Sequence, residues 1–147
     1  MKKVLSILLL TVLLLDLFAV AAPALAADNK GYLDKKLKPY MDDIGNALKD
    51  QLSSADAVKD AFKKAKSGVK KLKKYTNKNS VLKNDSKVQS YLSSMEKAIN
   101  EGHKRAKNAP DNDSKMMKYQ KNAMKYLKKY RSRVEKLFKV SSNGLDY

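Results

Sequence analysis

The side chains able to do chemistry are few, and most are of one kind. The 147-residue chain holds a single histidine, His103, and no cysteine. Thiolate nucleophiles and cysteine-built metal centres are therefore excluded. Adjacent carboxylates occur at Asp42 and Asp43. They follow Pro39 at the start of a helical pattern, where acids complement the helix dipole. No glycine-rich loop follows a strand-like run. The residue three before His103 is Asn100, so the Glu-x-x-His pattern of di-iron bundles is missing. His103 falls next to Gly102, at the edge of an apolar stripe, and reads as a half-exposed surface histidine rather than a ligand. No enzyme, cofactor or metal site is expected from this set.

Lysine is the abundant group. Lys and Arg total 32 against 15 Asp and Glu, a formal charge of +17. Between Asp60 and Asp85 there is no acid, yet Lys63, Lys64, Lys66, Lys70, Lys71, Lys73, Lys74, Lys78 and Lys83 occur. The stretch from Lys115 to Lys139 adds ten basic residues against Glu135 alone. A one-signed field of this size repels itself and attracts polyanions or anionic surfaces. The plain alternative is a solvated surface that keeps the protein soluble. The candidate contacts to an anionic partner are Lys63, Lys66, Lys70 and Lys73, with Lys118, Lys121, Lys125, Lys128 and Lys129. Arginine is confined to Arg105, Arg131 and Arg133. Lysine offers a point charge rather than the planar fork that reads base edges, which argues against sequence-specific nucleic-acid recognition. Lipid headgroups, a cell-wall polymer or an acidic protein fit better.

These lysines need elements to carry them. From Lys115 to Lys139, Met116, Tyr119, Ala123, Tyr126, Leu127, Tyr130, Val134, Leu137 and Phe138 fall on one side of a helical projection, and the lysines fall on the other. The tyrosines sit on the apolar side, which favours core packing with hydroxyls at the rim over nucleobase stacking. Three further stripes precede this one. Met41, Ile44, Leu48 and Leu52 form the first helix, which begins at Pro39 or extends back through Leu37 and Leu33 with a kink at the proline, and ends near Ser53. Val58, Phe62, Ala65, Val69 and Leu72 form the second, capped by Ser53-Ser54-Ala55-Asp56 and ending near Asn79. Gly68 inside it costs about 1 kcal/mol in propensity and permits a close helix contact. Val88, Leu92, Met95, Ile99, Gly102 and Ala106 form the third, stopped by Pro110 at the latest. Its opening Asn84-Asp85-Ser86-Lys87 matches Asn112-Asp113-Ser114-Lys115 before the last helix, two capping sequences of one type. With short connections and no strand-like alternation, the expected fold is all-α, an antiparallel up-down-up-down four-helix bundle.

The chain opens with Lys2 and Lys3, an apolar run from Val4 to Val20, and Ala24-Leu25-Ala26. This is the pattern of a secretory signal peptide over 1–26, leaving one domain over 27–147 in a periplasmic or extracellular setting. Asp16 within the run and Pro23 after it argue against an uncleaved membrane span. Loss of the leader removes Lys2, Lys3 and Asp16, so the basic excess hardly changes. Without disulfides, an apolar core must hold the exported domain.

Short segments also resemble the cytochrome b-562 family, periplasmic four-helix bundles that hold haem b between the first and last helices. Met41-Asp42-Asp43-Ile44 with Leu48-Lys49 is similar to the family's first-helix segment. Val58-Lys59-Asp60-Ala61-Phe62 looks like the start of its second helix, and Tyr126-Leu127-Lys128-Lys129-Tyr130-Arg131 resembles its C-terminal segment. The resemblance implies a periplasmic haem b electron-transfer protein with Met41 as an axial ligand, the alternative to an anion-binding bundle without cofactor. The family's axial histidine falls at Leu127, which has no lone pair to offer iron.

Overall fold

A computed structural model describes residues 28–49, 54–108 and 114–139. The leader and its Ala24-Leu25-Ala26 site lie outside the described residues. Every element described is helical, with no strand among the described residues. We label the helices α1 (28–49), α2 (Ala55–Lys78), α3 (Ser80–Asn84), α4 (Ser86–Asn108) and α5 (Ser114–Phe138).

The first helix takes the longer of its two expected courses, back through Leu37 and Leu33, so Asp42 and Asp43 lie within its length rather than in a first turn. It runs unbroken through Pro39, and one turn earlier, over Leu33–Leu37, it widens into a π-helical segment. The Lys38 N–H reaches the Leu33 carbonyl, five residues back. Two physical causes converge on this turn. Pro39 has no N–H to give to the carbonyl four residues before it. Leu33, Leu37 and Met41 are also spaced by four twice, and each such step drifts about 40° around an α-helix. A wider turn returns Leu33 and Leu37 to the buried face, where they are 5% and 0% exposed.

The other boundaries follow local caps. Ser54 is the N-cap of α2, its hydroxyl accepting from the Ala57 N–H at 3.2 Å. A short helix not expected from the sequence, α3, then occupies the connection. Asn79 turns the chain there, and its side chain accepts from the Leu82 N–H at 3.1 Å. That cap drives Leu82 into the core, fully covered. Asp85 starts α4 by accepting from the Val88 N–H at 2.8 Å. The end of the first helix near Ser53 and the Asn112-Asp113 cap lie outside the described residues.

The apolar stripes meet in one cluster. Met41, Ile44 and Leu48 of α1, Phe62, Val69 and Leu72 of α2, Val88, Met95 and Ile99 of α4, and Leu127, Tyr130 and Val134 of α5 all belong to it. Packing is most extensive between α4 and α5, then α1 with α2 and α2 with α4; α1 also touches α5. The contacts pair opposite ends of sequential helices. Tyr32 near the start of α1 donates its hydroxyl to the Tyr75 carbonyl near the end of α2, and Asp85 before α4 meets Arg133 late in α5. Two glycines let backbones close in. A Cβ on Gly68 would lie 2.7 Å from Ile44 Cγ1, and one on Gly102 would overlap the Phe62 ring.

Candidate anion-binding faces

The lysines of α2 are placed by its capped start and by the stripe that the core takes. With Phe62, Val69 and Leu72 turned inward, Lys63, Lys66, Lys70 and Lys73 are left exposed on the flank nearest α4. Lys73 spends its charge within the chain: its Nζ lies 2.6 Å from Glu96 Oε2 of α4. Such a pair, half open to solvent, contributes little to stability. On the opposite flank the lysines lie over aromatic rings. Lys71 Nζ is 5.6 Å from the Tyr40 ring centre, and Lys36 and Lys78 are 5.8 and 6.0 Å from that of Tyr75. Tyr40 and Tyr75 are themselves stacked, 5.5 Å apart at an angle of 11°. The Tyr32 hydroxyl donates to the Tyr75 carbonyl and ties α1 to the end of α2. The quadrupoles of the rings hold these ammonium groups in place.

On α5 the exposed side chains include Lys118, Lys121, Lys125, Lys128 and Lys129, with Met117 among them, opposite a buried face of Ala123, Leu127, Tyr130, Val134 and Phe138. Lys129 lies over two rings, 5.7 Å from Tyr91 and 5.9 Å from Tyr126. The tyrosines of this helix do pack rather than present open stacking faces. Tyr130 is 0% exposed, and Tyr119 and Tyr126 lean on the core. The α2 and α5 lysine sets do not form one patch. Their helices are not among the extensively packed pairs, and they meet across the core where Tyr130 Oη lies 2.6 Å from Thr76 Oγ1. The chain therefore offers two separate basic faces.

What leaves these faces basic is where the acids go. Asp85 takes Arg133, with 2.5 Å between Oδ2 and Nη2, and Asp42 takes Arg131 at 2.6 Å. The guanidinium of Arg133 holds the Asp85 carboxyl below the usual carboxylate range, burial working against it and the Val88 N–H with it. Glu135 is displaced upward, first by burial and against the pull of Arg131 and Lys38. Planar arginine forks thus take up Asp42 and Asp85 at helix seams, while lysines face outward. Among the described residues Lys63, Lys66, Lys70, Lys118, Lys121, Lys125 and Lys128 make no ion pair.

The residues that a haem would need do not fit it. Met41 is 1% exposed within the aliphatic core, and Leu127, at the position of the second axial ligand, is 3% exposed and carries no donor atom. Tyr130, one turn on, keeps its hydroxyl on Thr76. His103 lies by Gly102 at the first half of α2, whereas Met41 precedes Ile44, which packs on Gly68 farther along that helix. No group of three His, Cys, Asp or Glu side chains able to hold a metal occurs among the described residues, and no described helix is long and apolar enough to cross a membrane.

His103 is where sequence reasoning saw least. It is half-buried, and the charges acting on it include Lys107 of its own helix and Lys66, Lys63 and Lys59 of α2. Burial first, and those cations second, push the imidazole below its ordinary range. The i, i+4 spacing of His103 and Lys107 was visible in the sequence; their placement against α2 was not. Comparison with family models, with curated proteins and with solved structures finds no match to this chain.

Proposed function

We propose that this is an exported, non-enzymatic, strongly basic protein, an antiparallel up-down-up-down four-helix bundle built from α1, α2, α4 and α5. It binds an anionic partner, whether lipid headgroups, a cell-wall polymer or an acidic protein, through the lysine faces of α2 and α5. The bundle reading is supported by contacts that pair opposite ends of neighbouring helices, Tyr32 with Tyr75, Phe62 with Gly102 and Asp85 with Arg133. The observation that carries the function is the division of charge. Asp42, Asp85 and Glu96 are engaged in ion pairs between helices, Glu96 by Lys73, whereas Lys63, Lys66, Lys70, Lys118, Lys121, Lys125 and Lys128 have no ion pair among the described residues. A field without internal compensation is available to an external anion.

Retention on immobilised heparin and on anionic vesicles, followed against salt, tests this. Binding at low salt that falls steeply as sodium chloride is raised is expected, because the contacts are screened within about 10 Å at 0.1 M. No retention at low salt overturns the proposal. Changing Lys118, Lys121, Lys125 and Lys128 together to Gln should weaken retention several-fold with an unchanged helical circular dichroism spectrum, since all of them are exposed.

A further inference from the structure

The two basic faces are not equivalent, and the difference lies at the seam between α2 and α4. Lys59, Lys63 and Lys66 recur at spacings of four and three, so they stand one above another along one flank of α2. The neighbouring helix packs on α2 at that level. Gly102 rests directly on the Phe62 ring, where any larger residue would overlap it. This contact lodges the next residue, His103, against the lysine row, and Lys107 follows one turn later on the same side of α4. The result is a helix seam where a half-buried imidazole lies within the field of exposed lysines from two helices. Glu96, two turns earlier on α4, is engaged by Lys73. Lys59, Lys63, Lys66 and Lys107 have no ion pair among the described residues.

We propose that this seam, with His103 at its centre and Lys59, Lys63, Lys66 and Lys107 around it, is a binding site for a phosphate group. The inference rests on the anion-binding reading above and narrows it to one place and one ligand chemistry. A phosphate oxygen suits the arrangement because compact, exposed ammonium groups are supplied by both helices of the seam, and because the imidazole adds an N–H donor in either tautomer and a charge when protonated. His103 makes the site responsive to pH. The charges that act most strongly on the ring are the cations Lys107, Lys66, Lys63 and Lys59, while the neighbouring acids, Asp56 and Asp60 of α2 and Glu101 of α4, are exposed. An anion among them offsets their repulsion and favours the protonated ring. By reciprocity the phosphate binds the protonated protein more tightly, so affinity rises as pH falls through the imidazole titration.

The single histidine gives one imidazole Cε1–H signal in a proton NMR spectrum, so the site reports on itself. The probes are inorganic pyrophosphate and, separately, vesicles of phosphatidylglycerol, with phosphatidylcholine vesicles as the uncharged reference. Pyrophosphate is expected to move the His103 titration to higher pH by about half a unit, equivalent to about threefold tighter binding to the protonated form. A shift with pyrophosphate alone assigns a soluble or polymeric phosphate; a shift, or broadening of this signal, with phosphatidylglycerol as well assigns a lipid headgroup. Changing Lys59, Lys63 and Lys66 to Gln should abolish the pyrophosphate effect. Changing Lys35, Lys87 and Lys97 to Gln, which removes as much charge from exposed positions elsewhere, should leave it in place. A histidine signal that neither probe moves, or that moves equally in both variants, overturns the site. If the protein is still retained on heparin in that case, the broader anion-binding reading survives; if it is not, both fail.

Discussion

At Gly102 the absence of one carbon atom decides how near α4 comes to α2. Replacing glycine by alanine inside a helix ordinarily adds about 0.5–1 kcal/mol of stability. Here the added Cβ would overlap the Phe62 ring, which is itself fully buried. Gly102→Ala is therefore expected to cost about 1–3 kcal/mol in urea denaturation despite the propensity gain, the usual penalty for overpacking. Phe62→Leu in that background should return part of the loss, because it removes the atoms that clash. Another single-residue balance sits at Thr76. Its hydroxyl donates to the Leu72 carbonyl at 2.8 Å, so the proton in its bond with Tyr130 comes from the phenol. Tyr130→Phe then removes a donor and leaves Thr76 with its backbone partner, a cost of about 1 kcal/mol. Thr76→Val leaves the buried Tyr130 hydroxyl with nothing to donate to and should cost more, about 1–3 kcal/mol. Burial also raises the Tyr130 phenol well above its ordinary value, with the Thr76 bond working the other way and Tyr32 adding to the rise. The folded state then holds this proton where the unfolded chain releases it. Stability falls as pH rises past about 10, and Tyr130→Phe should remove that part of the alkaline decline in a series of melting curves.

A helix start joins two jobs in Asp85. One oxygen caps α4 at Val88, and the carboxylate holds Arg133 of α5. Because Arg133 lowers the Asp85 carboxyl, the folded state keeps it ionised where the unfolded chain would be protonated. The stabilisation is therefore present above about pH 3.9 and lost as pH falls through the depressed folded value. Asp85→Asn preserves the cap and should flatten this acid dependence at modest cost at pH 7. Asp85→Ala should lose cap and pair together, with the cap alone contributing about 1 kcal/mol. Melting temperatures of both variants between acid and neutral pH separate the contributions. How much of such elements could be read in the sequence follows from what each depends on. The stripes of α2, α4 and α5 were legible because helical periodicity is local, and the exposed side of α5 follows from the same projection. Asp85 as a cap was legible from Asn84-Asp85-Ser86; its hold on Arg133 was not, because that partner lies on another helix. The π turn escaped because apolar residues spaced by four fit a helix of either width, and only the needs of Leu33 and Leu37 in the assembled core decide between them. The His103 seam escaped for the same reason. It exists only once Gly102 has brought two helices together.

For the molecule as a whole, charge opposes folding and favours binding, and salt separates the two effects. A formal charge of +17 on 147 residues makes the compact state self-repelling, because folding gathers the lysines of α2 and α5 that the unfolded chain spreads apart. The core must hold against this repulsion without a disulfide. Adding sodium chloride shortens the range of the repulsion from about 30 Å at 0.01 M to about 3 Å at 1 M, so the melting temperature is expected to rise with ionic strength. Retention on an anionic surface should fall over the same range. A polyanion present at low salt should raise the melting temperature as well, and by more than its added ionic strength explains, because it binds the folded array of lysines. Raising salt should then erase that extra increment while the intrinsic stability continues to climb. Differential scanning calorimetry with and without heparin across this salt range checks the pattern. A melting temperature indifferent to both salt and heparin would mean that the lysine faces neither repel strongly nor bind, and that they serve only to keep the surface hydrated.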